Sequence, residues 1–350
     1  MPAGRGCWLQ PSASCRDAGK GADPLNHATE PLSDVDLQAL AEKTTRIVNE
    51  IQTVIIGKAK AVRLAVVTLL CNGHLLIEDI PGVGKTMLGR ALARSVGGSF
   101  KRVQFTPDLL PADVTGTAIF NPKTAEFEFR PGPVFGNVLL ADEVNRATPK
   151  TQSSLLECME EGQVTRDGVT YRLPHPFFVI GTENTTESQG TFPLPLAQLD
   201  RFLMRLSLGY PSNEEELLLL ERQMKRHPIE DVKPVVTPEE VVTLQEMVTS
   251  IHIERALREY VVKLVDATRR HSAIHFGASP RGSLGLMRAS QAYAATAGRT
   301  YVIPDDIKAV APAVLTHRIS LKPEVRARGI TAEGTVEEIL RTVPVPVLRR

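Results

Sequence analysis

The stretch His74-Leu75-Leu76-Ile77-Glu78-Asp79-Ile80-Pro81-Gly82-Val83-Gly84-Lys85-Thr86 holds residue types that together can grip a phosphate chain. Gly82 and Gly84 allow backbone N–H groups to turn inward around phosphate oxygens, and a helix beginning at Lys85 adds the positive end of its dipole. Lys85 is then placed on the β- and γ-phosphates of ATP, and Thr86, one residue on, can ligate Mg2+. Pro81, Val83 and Met87 complete the nucleotide-binding loop. The P-loop pattern G-x-x-x-x-G-K-[ST] would begin with glycine where this chain carries Asp79. An anion facing inward there would repel phosphate, so the reading requires Asp79 to splay away.

Two further runs end in polar groups. Val138-Leu139-Leu140-Ala141-Asp142-Glu143 closes an apolar strand with adjacent carboxylates. Asp142 is suited to hold Mg2+ through water and Glu143 to polarise an attacking water as general base. Phe177-Phe178-Val179-Ile180-Gly181-Thr182-Glu183-Asn184 ends a second apolar strand. Parallel strands present their carboxyl ends to one ligand crevice, where Asn184 could orient the water; a turn-forming asparagine is the plainer alternative.

These groups need a scaffold that brings strand ends together. Short apolar runs at Leu75–Ile77, Lys101–Phe105, Asn137–Ala141, Phe177–Ile180 and Phe202–Leu208 alternate with helical patterns at Ala59–Cys71, Lys85–Ser95 and Lys150–Glu161. That alternation predicts a mostly parallel sheet covered on both faces. Beyond Tyr210-Pro211-Ser212-Asn213 only helical patterns follow, at Glu214–His227, Pro238–Ser250, Glu254–His271, Gly282–Ala297 and Pro304–Arg318. The expected division is therefore a disordered extension at 1–32, an αβα nucleotide-binding core at 33–210 and a smaller all-α domain at 211–350.

Composition sets the limits. With 350 residues, 42% hydrophobic and 23% charged, the chain has the make-up of an ordinary globular protein. Forty-one basic against 40 acidic residues leave a charge of +1, which argues against nucleic acid or an anionic membrane as partner. Even the richest apolar run, Ala61–Cys71, is interrupted by Arg63 and too short to span a membrane. The first residues lack a signal-peptide pattern, so the expected location is cytoplasmic. Cys7, Cys15, Cys71 and Cys158 show no metal-binding spacing.

Further residues are specific to a family. Leu140-Ala141-Asp142-Glu143-Val144-Asn145-Arg146-Ala147, Pro149-Lys150-Thr151-Gln152, Leu155-Leu156-Glu157-Cys158-Met159-Glu160-Glu161 and Phe192-Pro193-Leu194-Pro195-Leu196-Ala197-Gln198-Leu199-Asp200-Arg201-Phe202 resemble the MoxR family of AAA+ ATPases. Arg130-Pro131-Gly132-Pro133-Val134-Phe135 belongs to the same pattern. The resemblance runs from about Leu37 to Arg341. It implies a P-loop NTPase core with a five-stranded parallel sheet in the order 5-1-4-3-2, a helical lid, and a homo-oligomeric ring, usually a hexamer, with ATP at each interface. By the same likeness Arg201 is an arginine finger for the neighbouring subunit, and Arg281, in Gly277-Ala278-Ser279-Pro280-Arg281-Gly282, reaches from the lid back to the phosphates.

The resemblance also implies a chaperone-like role in maturing client protein complexes, at times for metal insertion, with a von Willebrand factor A domain protein as partner. Gln163–Tyr171, with its Asp-Gly turn, and Ala118–Phe129 read as hairpins placed where the related clade carries inserts. They would face the ring pore or the substrate, or serve as plain surface hairpins. Glu183-Asn184-Thr185-Thr186 replaces the family's commoner Gln-Asn-Pro. Rival readings are an ATPase subunit of a chelatase-type complex, a nucleic-acid motor and a nucleotide-gated scaffold.

Overall fold

The computed structural model describes residues 33–123, 125–184, 190–224 and 227–346. The expected extension at 1–32, with Cys7 and Cys15, lies outside the described residues, as do Thr185 and Thr186. Ser33 opens the first helix as its sequence suggests. Its hydroxyl accepts from the Asp36 N–H at 3.2 Å and donates to the Asp36 carboxylate at 2.6 Å.

Helices α1 (Asp34–Gln52) and α2 (Ala59–Leu70) precede β1 (Leu75–Asp79), α3 (Lys85–Ser95), β2 (Phe100–Gln104) and a short α4 (Pro111–Thr115). A hairpin of β3 (Gly116–Asn121) and β4 (Glu126–Pro131) leads to β5 (Val138–Asp142) and α5 (Pro149–Glu161). A second hairpin, β6 (Gln163–Arg166) and β7 (Val169–Arg172), then β8 (Phe178–Asn184), a single turn α6 (Leu196–Leu199) and β9 (Met204–Leu206) complete the first part. The remainder holds α7 (Asn213–Gln223), α8 (Pro238–Thr249), α9 (Arg255–Arg270), β10 (Ile274–Phe276), α10 (Pro280–Thr296), α11 (Pro304–Leu315), β11 (Ser320–Leu321), α12 (Pro323–Ala327) and α13 (Ala332–Thr342).

The central sheet runs β2-β5-β8-β1-β9 with every pairing parallel, which is the 5-1-4-3-2 order when these five strands are counted along the chain. Its register matters for chemistry. Asp79 pairs with Asn184 and Gln104 with Asp142, so the polar strand ends share one edge. Alternation sends Leu75, Ile77, Leu140 and Ile180 to one face and Leu76, Leu139, Ala141 and Val179 to the other. The first set joins α1, α2, α3 and the later helices in one continuous apolar cluster; the second packs on Leu155 and Leu156 of α5.

Both expected hairpins form. Asp167 and Gly168 each take positive φ, +50° and +80°, the geometry of a two-residue turn matched to strand twist. Phe129 of β4 stacks on Tyr171 of β7 with ring centres 4.1 Å apart, joining the two hairpins, while Phe120 and Phe127 lie exposed on the first.

Three differences from the sequence reading have local causes. The lid is helical but also pairs β10 with β11, a ribbon too short to leave a periodic signal. Helix α13 is not foreseen at all. Strand β9 is shorter than Phe202–Leu208, because the Phe202 and Leu203 carbonyls are taken by side chains of the lid.

Candidate functional site

The phosphate loop is open. Gly82 and Gly84 adopt φ of +85° and +95°, and a Cβ on either would meet nothing within 4 Å. Both are left-handed positions that glycine takes without steric cost. Helix α3 begins at Lys85 with Gly84 as its cap and no side chain on its first N–H groups, which leaves its positive end available to an anion. Pro81 and Gly82 are exposed and Thr86 is half-buried, while Val83 and Met87 pack against the core and brace the loop.

Lys85 itself is buried and points back at the strand ends. Its Nζ donates to the Asp79 carbonyl at 2.7 Å, to the Glu183 carbonyl at 3.1 Å and to Asn184 Oδ1 at 3.0 Å. Burial lowers its pKa, opposed by the surrounding charges of Asp79, Asp142, Glu143 and Glu183.

The amide of Asn184 completes a chain to the second carboxylate. Its Nδ2 donates to Glu143 Oε1 at 2.7 Å, and Arg146 Nη1 donates to Glu143 Oε2 at 2.9 Å. Glu143 stands at φ +55°, a left-handed conformation that costs a non-glycine residue and is held here by its surroundings. One holder is Thr182. Its hydroxyl accepts the Glu143 N–H at 2.9 Å and donates to Asp142 Oδ1 at 2.6 Å. The other Asp142 oxygen accepts from Arg102 Nη2 at 2.7 Å and Nε at 3.2 Å.

Asp79 splays away, as a functional loop requires. Its Oδ2 accepts from the N–H groups of Leu208 (2.5 Å) and Gly209 (2.7 Å) and from Ser207 Oγ (3.0 Å), and Oδ1 accepts from the Ile80 N–H (2.9 Å). Burial alone would raise its pKa, but the bonds from Gly209, Leu208, Ile80 and Ser207 outweigh that and hold the carboxyl below its usual range.

Arg201 and Arg281 lie elsewhere. Both bind the carboxylate of Glu160, Arg201 through Nη2 at 3.0 Å. Glu160 follows Met159, whose carbonyl bonds His74 Nε2 at 3.0 Å, and the His74 carbonyl accepts the Leu203 N–H at 2.8 Å. His74 precedes the amino end of β1, whereas the phosphate loop follows its carboxyl end, about 16 Å away along five residues of strand. In this arrangement Arg281, expected to reach the phosphates, stands with Arg201 on Glu160. Ser279 caps α10 and ties that helix end to Asp200, the residue before Arg201.

Beside the loop a cleft of about 1150 Å³ runs between sheet and lid, lined by Gly57, Lys58, Glu78, Glu183, Arg205 and Glu333 among others. Arg205 bridges Glu78 at 2.5 Å and Glu333 of α13. Glu183 faces this group. Burial and the negative charge of Glu78 push its pKa up to about 7, against Arg205 and Lys85. Thr182, Arg102, Arg146 and Glu160 were not singled out from sequence. Thr182 stands in the strand two residues before Asn184, and Arg146 and Glu160 lie within the family-like stretches; which groups each of the four touches only folding supplies.

As metal donors, Thr86 and Asp142 fit a hard cation, since both offer oxygen and the glycine cradle beside them is open. Among the described residues no group of three or more His, Cys, Asp or Glu could hold a metal ion by itself, and no helix is long and apolar enough to cross a membrane.

Comparison with known proteins converges on the same architecture. Residues 74–204 match the "ATPase family associated with various cellular activities (AAA)" and residues 266–339 match the AAA lid domain. The chain is 54% identical to the uncharacterized protein YeaC of Bacillus subtilis, over 90% of this chain and 97% of the relative. It is 41% identical to "Chaperone MoxR1" of Mycobacterium tuberculosis, over 99% and 92%. A solved structure of a candidate ATPase from Cytophaga hutchinsonii superposes with a TM-score of 0.82 at 40% identity, covering 89% of this chain and 97% of that one. With P-loop, paired carboxylates, strand order and lid all in place, this chain belongs to the MoxR family of AAA+ ATPases.

Proposed function

We propose that this protein is a Mg2+-dependent ATPase that hydrolyses ATP to ADP and phosphate within a ring, usually of six subunits, and uses the cycle to remodel client protein complexes. The observation that carries the reading is the hydrogen-bonded chain from Lys85 through Asn184 to Glu143, which links the phosphate-binding cation to the base.

Residues Pro81–Met87 would cradle the phosphates and Lys85 would neutralise them, while Thr86 and Asp142 would hold a Mg2+ ion, which would offset phosphate charge. Glu143 takes a proton from water as the water oxygen bonds to the γ-phosphorus and the bond to the bridging oxygen breaks, leaving its electron pair on ADP. Each Glu143 oxygen accepts one hydrogen bond in this arrangement and keeps a second lone pair with which to accept from water. Asn184 then positions the water. Arg201 and Arg281, set together at the far edge of the sheet, serve the site of an adjacent subunit, where a guanidinium stabilises the charge of the transition state.

The near-neutral charge and the likeness to a named chaperone support protein clients over nucleic acid. A von Willebrand factor A domain protein as partner, action in the cytoplasm and the division into a core at 33–210 and a lid at 211–350 belong to the same proposal. The test is the steady-state ATPase rate against protein concentration, with and without Mg2+, for wild type, Glu143→Gln and Arg201→Ala. Turnover that rises steeply with concentration, and is lost in both variants while nucleotide still binds, is the expected result. Nucleotide binding without turnover in any assembled state would replace this reading with a nucleotide-gated scaffold.

A further inference from the structure

The segment that carries Arg201 has little structure of its own: one turn, α6, then an irregular stretch before β9. Side chains of the lid tie it down, with Arg318 making most of the bonds beside single contacts from Ser279 and His317. Arg318, 4% exposed, aims its guanidinium into the segment, Nε donating to Asp200 Oδ1 at 2.8 Å and Nη2 to the carbonyls of Phe202 at 2.7 Å and Asp200 at 3.2 Å. Nη1 donates to the Leu203 carbonyl at 2.9 Å and to that of Val314. The second Asp200 oxygen accepts from Ser279 Oγ at 2.7 Å, and the same Ser279 oxygen accepts the Arg281 N–H at 3.1 Å.

We propose that Asp200 and Arg318 are positioning residues, which lock the Arg201 segment to the start of α10 and so present Arg201 and Arg281 as one rigid pair to a neighbouring subunit's nucleotide. This inference rests on the ring reading above. One carboxylate thus touches, on one oxygen, the cation that organises the finger segment and, on the other, the cap of the helix bearing the second arginine.

The surrounding packing is shaped for this clamp. A Cβ on Gly285 of α10 would lie 3.1 Å from Leu203 Cδ1 and 3.6 Å from Val314 Cγ1, and one on Gly282 would lie 3.4 Å from Arg318 Cδ. The helix approaches Arg318 closely because it presents glycine there. A buried ion pair is a poor way to gain stability, since apolar residues of equal volume commonly do as well. What a planar five-donor fork adds is direction, and a lysine supplies a point charge in its place. The two arginines it orients remain partly exposed at 30% and 49% and converge on Glu160, a carboxylate they can exchange for phosphate.

The test uses mixed assemblies of full-length protein. Asp200→Asn and Arg318→Lys should each keep affinity for fluorescently labelled ATP and lose about 100-fold in kcat, the scale of a small misplacement of catalytic groups. Each is then mixed with Lys85→Ala, whose own loop is dead but whose arginines are intact. Recovery of turnover in the mixture is expected, because the intact loop of one variant meets the correctly held arginines of the other. Arg201→Ala mixed with Lys85→Ala is the reference. If Arg201→Ala recovers and Asp200→Asn does not, or if Asp200→Asn alone turns over like wild type, the positioning role is wrong. If not even Arg201→Ala recovers, the ring reading fails, and the inference with it. Should Arg318→Lys not fold, Asp200→Asn, which keeps shape and one acceptor oxygen, decides the matter.

Discussion

The backbone N–H of Gly209 donates to Asp79 Oδ2 at 2.7 Å, so the residue that heads the phosphate loop is fastened to the exit of β9. Glycine at this position would leave the Leu208 and Gly209 N–H groups without that acceptor. The acidic departure from the P-loop pattern thus sits at the passage from the sheet into the lid and keeps its charge off the phosphate side.

Asp79→Ala should cost about 2–4 kcal/mol, since the buried Leu208 N–H and the partly buried Gly209 N–H lose their acceptor, at about 1–3 kcal/mol for a buried group. Chemical denaturation measures it. The folded carboxyl titrates below 3.8, so the contribution is complete above that pH and fades as pH falls through the lower folded value. The gap between wild type and Asp79→Ala should therefore be flat from pH 5 to 8 and narrow below about pH 4.

Thr182→Val removes the hydroxyl shared by Asp142 and the Glu143 N–H while keeping the side chain's volume. A buried donor left unpaired costs about 1–3 kcal/mol. Turnover should fall by about 10-fold or more as Glu143 loses its hold, the range of a disturbed general base. Steady-state kinetics beside a melting curve separates the two effects; wild-type turnover would show that Thr182 is not needed to place Glu143.

Glu183 gives a pH dependence of opposite sign. Folded, it keeps its proton to about pH 7; unfolded, it releases it near 4.5. The folded state binds more protons between those values, so stability falls as pH rises through that window. Glu183→Gln removes the loss, and its advantage over wild type should grow from pH 5 to pH 8 by an amount on the order of 2 kcal/mol. Parallel urea titrations at the two pH values check this, and equal gaps at both would count against it.

Arg102 occupies one oxygen of Asp142 from an exposed position, half accessible. Exposed pairs contribute at most about 1 kcal/mol. Arg102→Ala should accordingly lower the Mg2+ concentration needed for half-maximal nucleotide binding, by no more than about 5-fold. Calorimetric titration with Mg2+ at fixed nucleotide is the measurement, and a raised Mg2+ requirement would assign Arg102 to nucleotide binding instead.

How much could be read in advance depends on the range of the forces involved. The phosphate loop was legible because Gly82, Gly84 and Lys85 are neighbours in the chain and their backbone needs are local. The strand ends at Asp142 and Asn184 were legible because an apolar run that stops at a polar residue marks a strand's end. Nothing local relates Arg318 to Asp200, 118 residues apart, or Glu160 to Arg281, 121 apart. A lone arginine after a helix has the same local pattern whether it is buried or solvated.

The amino-acid sequence by itself determined the sheet's strands, the loop between β1 and α3, the two hairpins and the family, because periodicity, glycine spacing and contiguous motifs act over a few residues. Only the tertiary structure decided that Asp79 faces the β9 exit, that Asn184 bridges Lys85 and Glu143, and that Arg281 stands with Arg201 at the opposite edge of the sheet. Those outcomes depend on which distant polar groups become buried together. A buried donor or acceptor must find a partner, and the fold chooses which one is within reach.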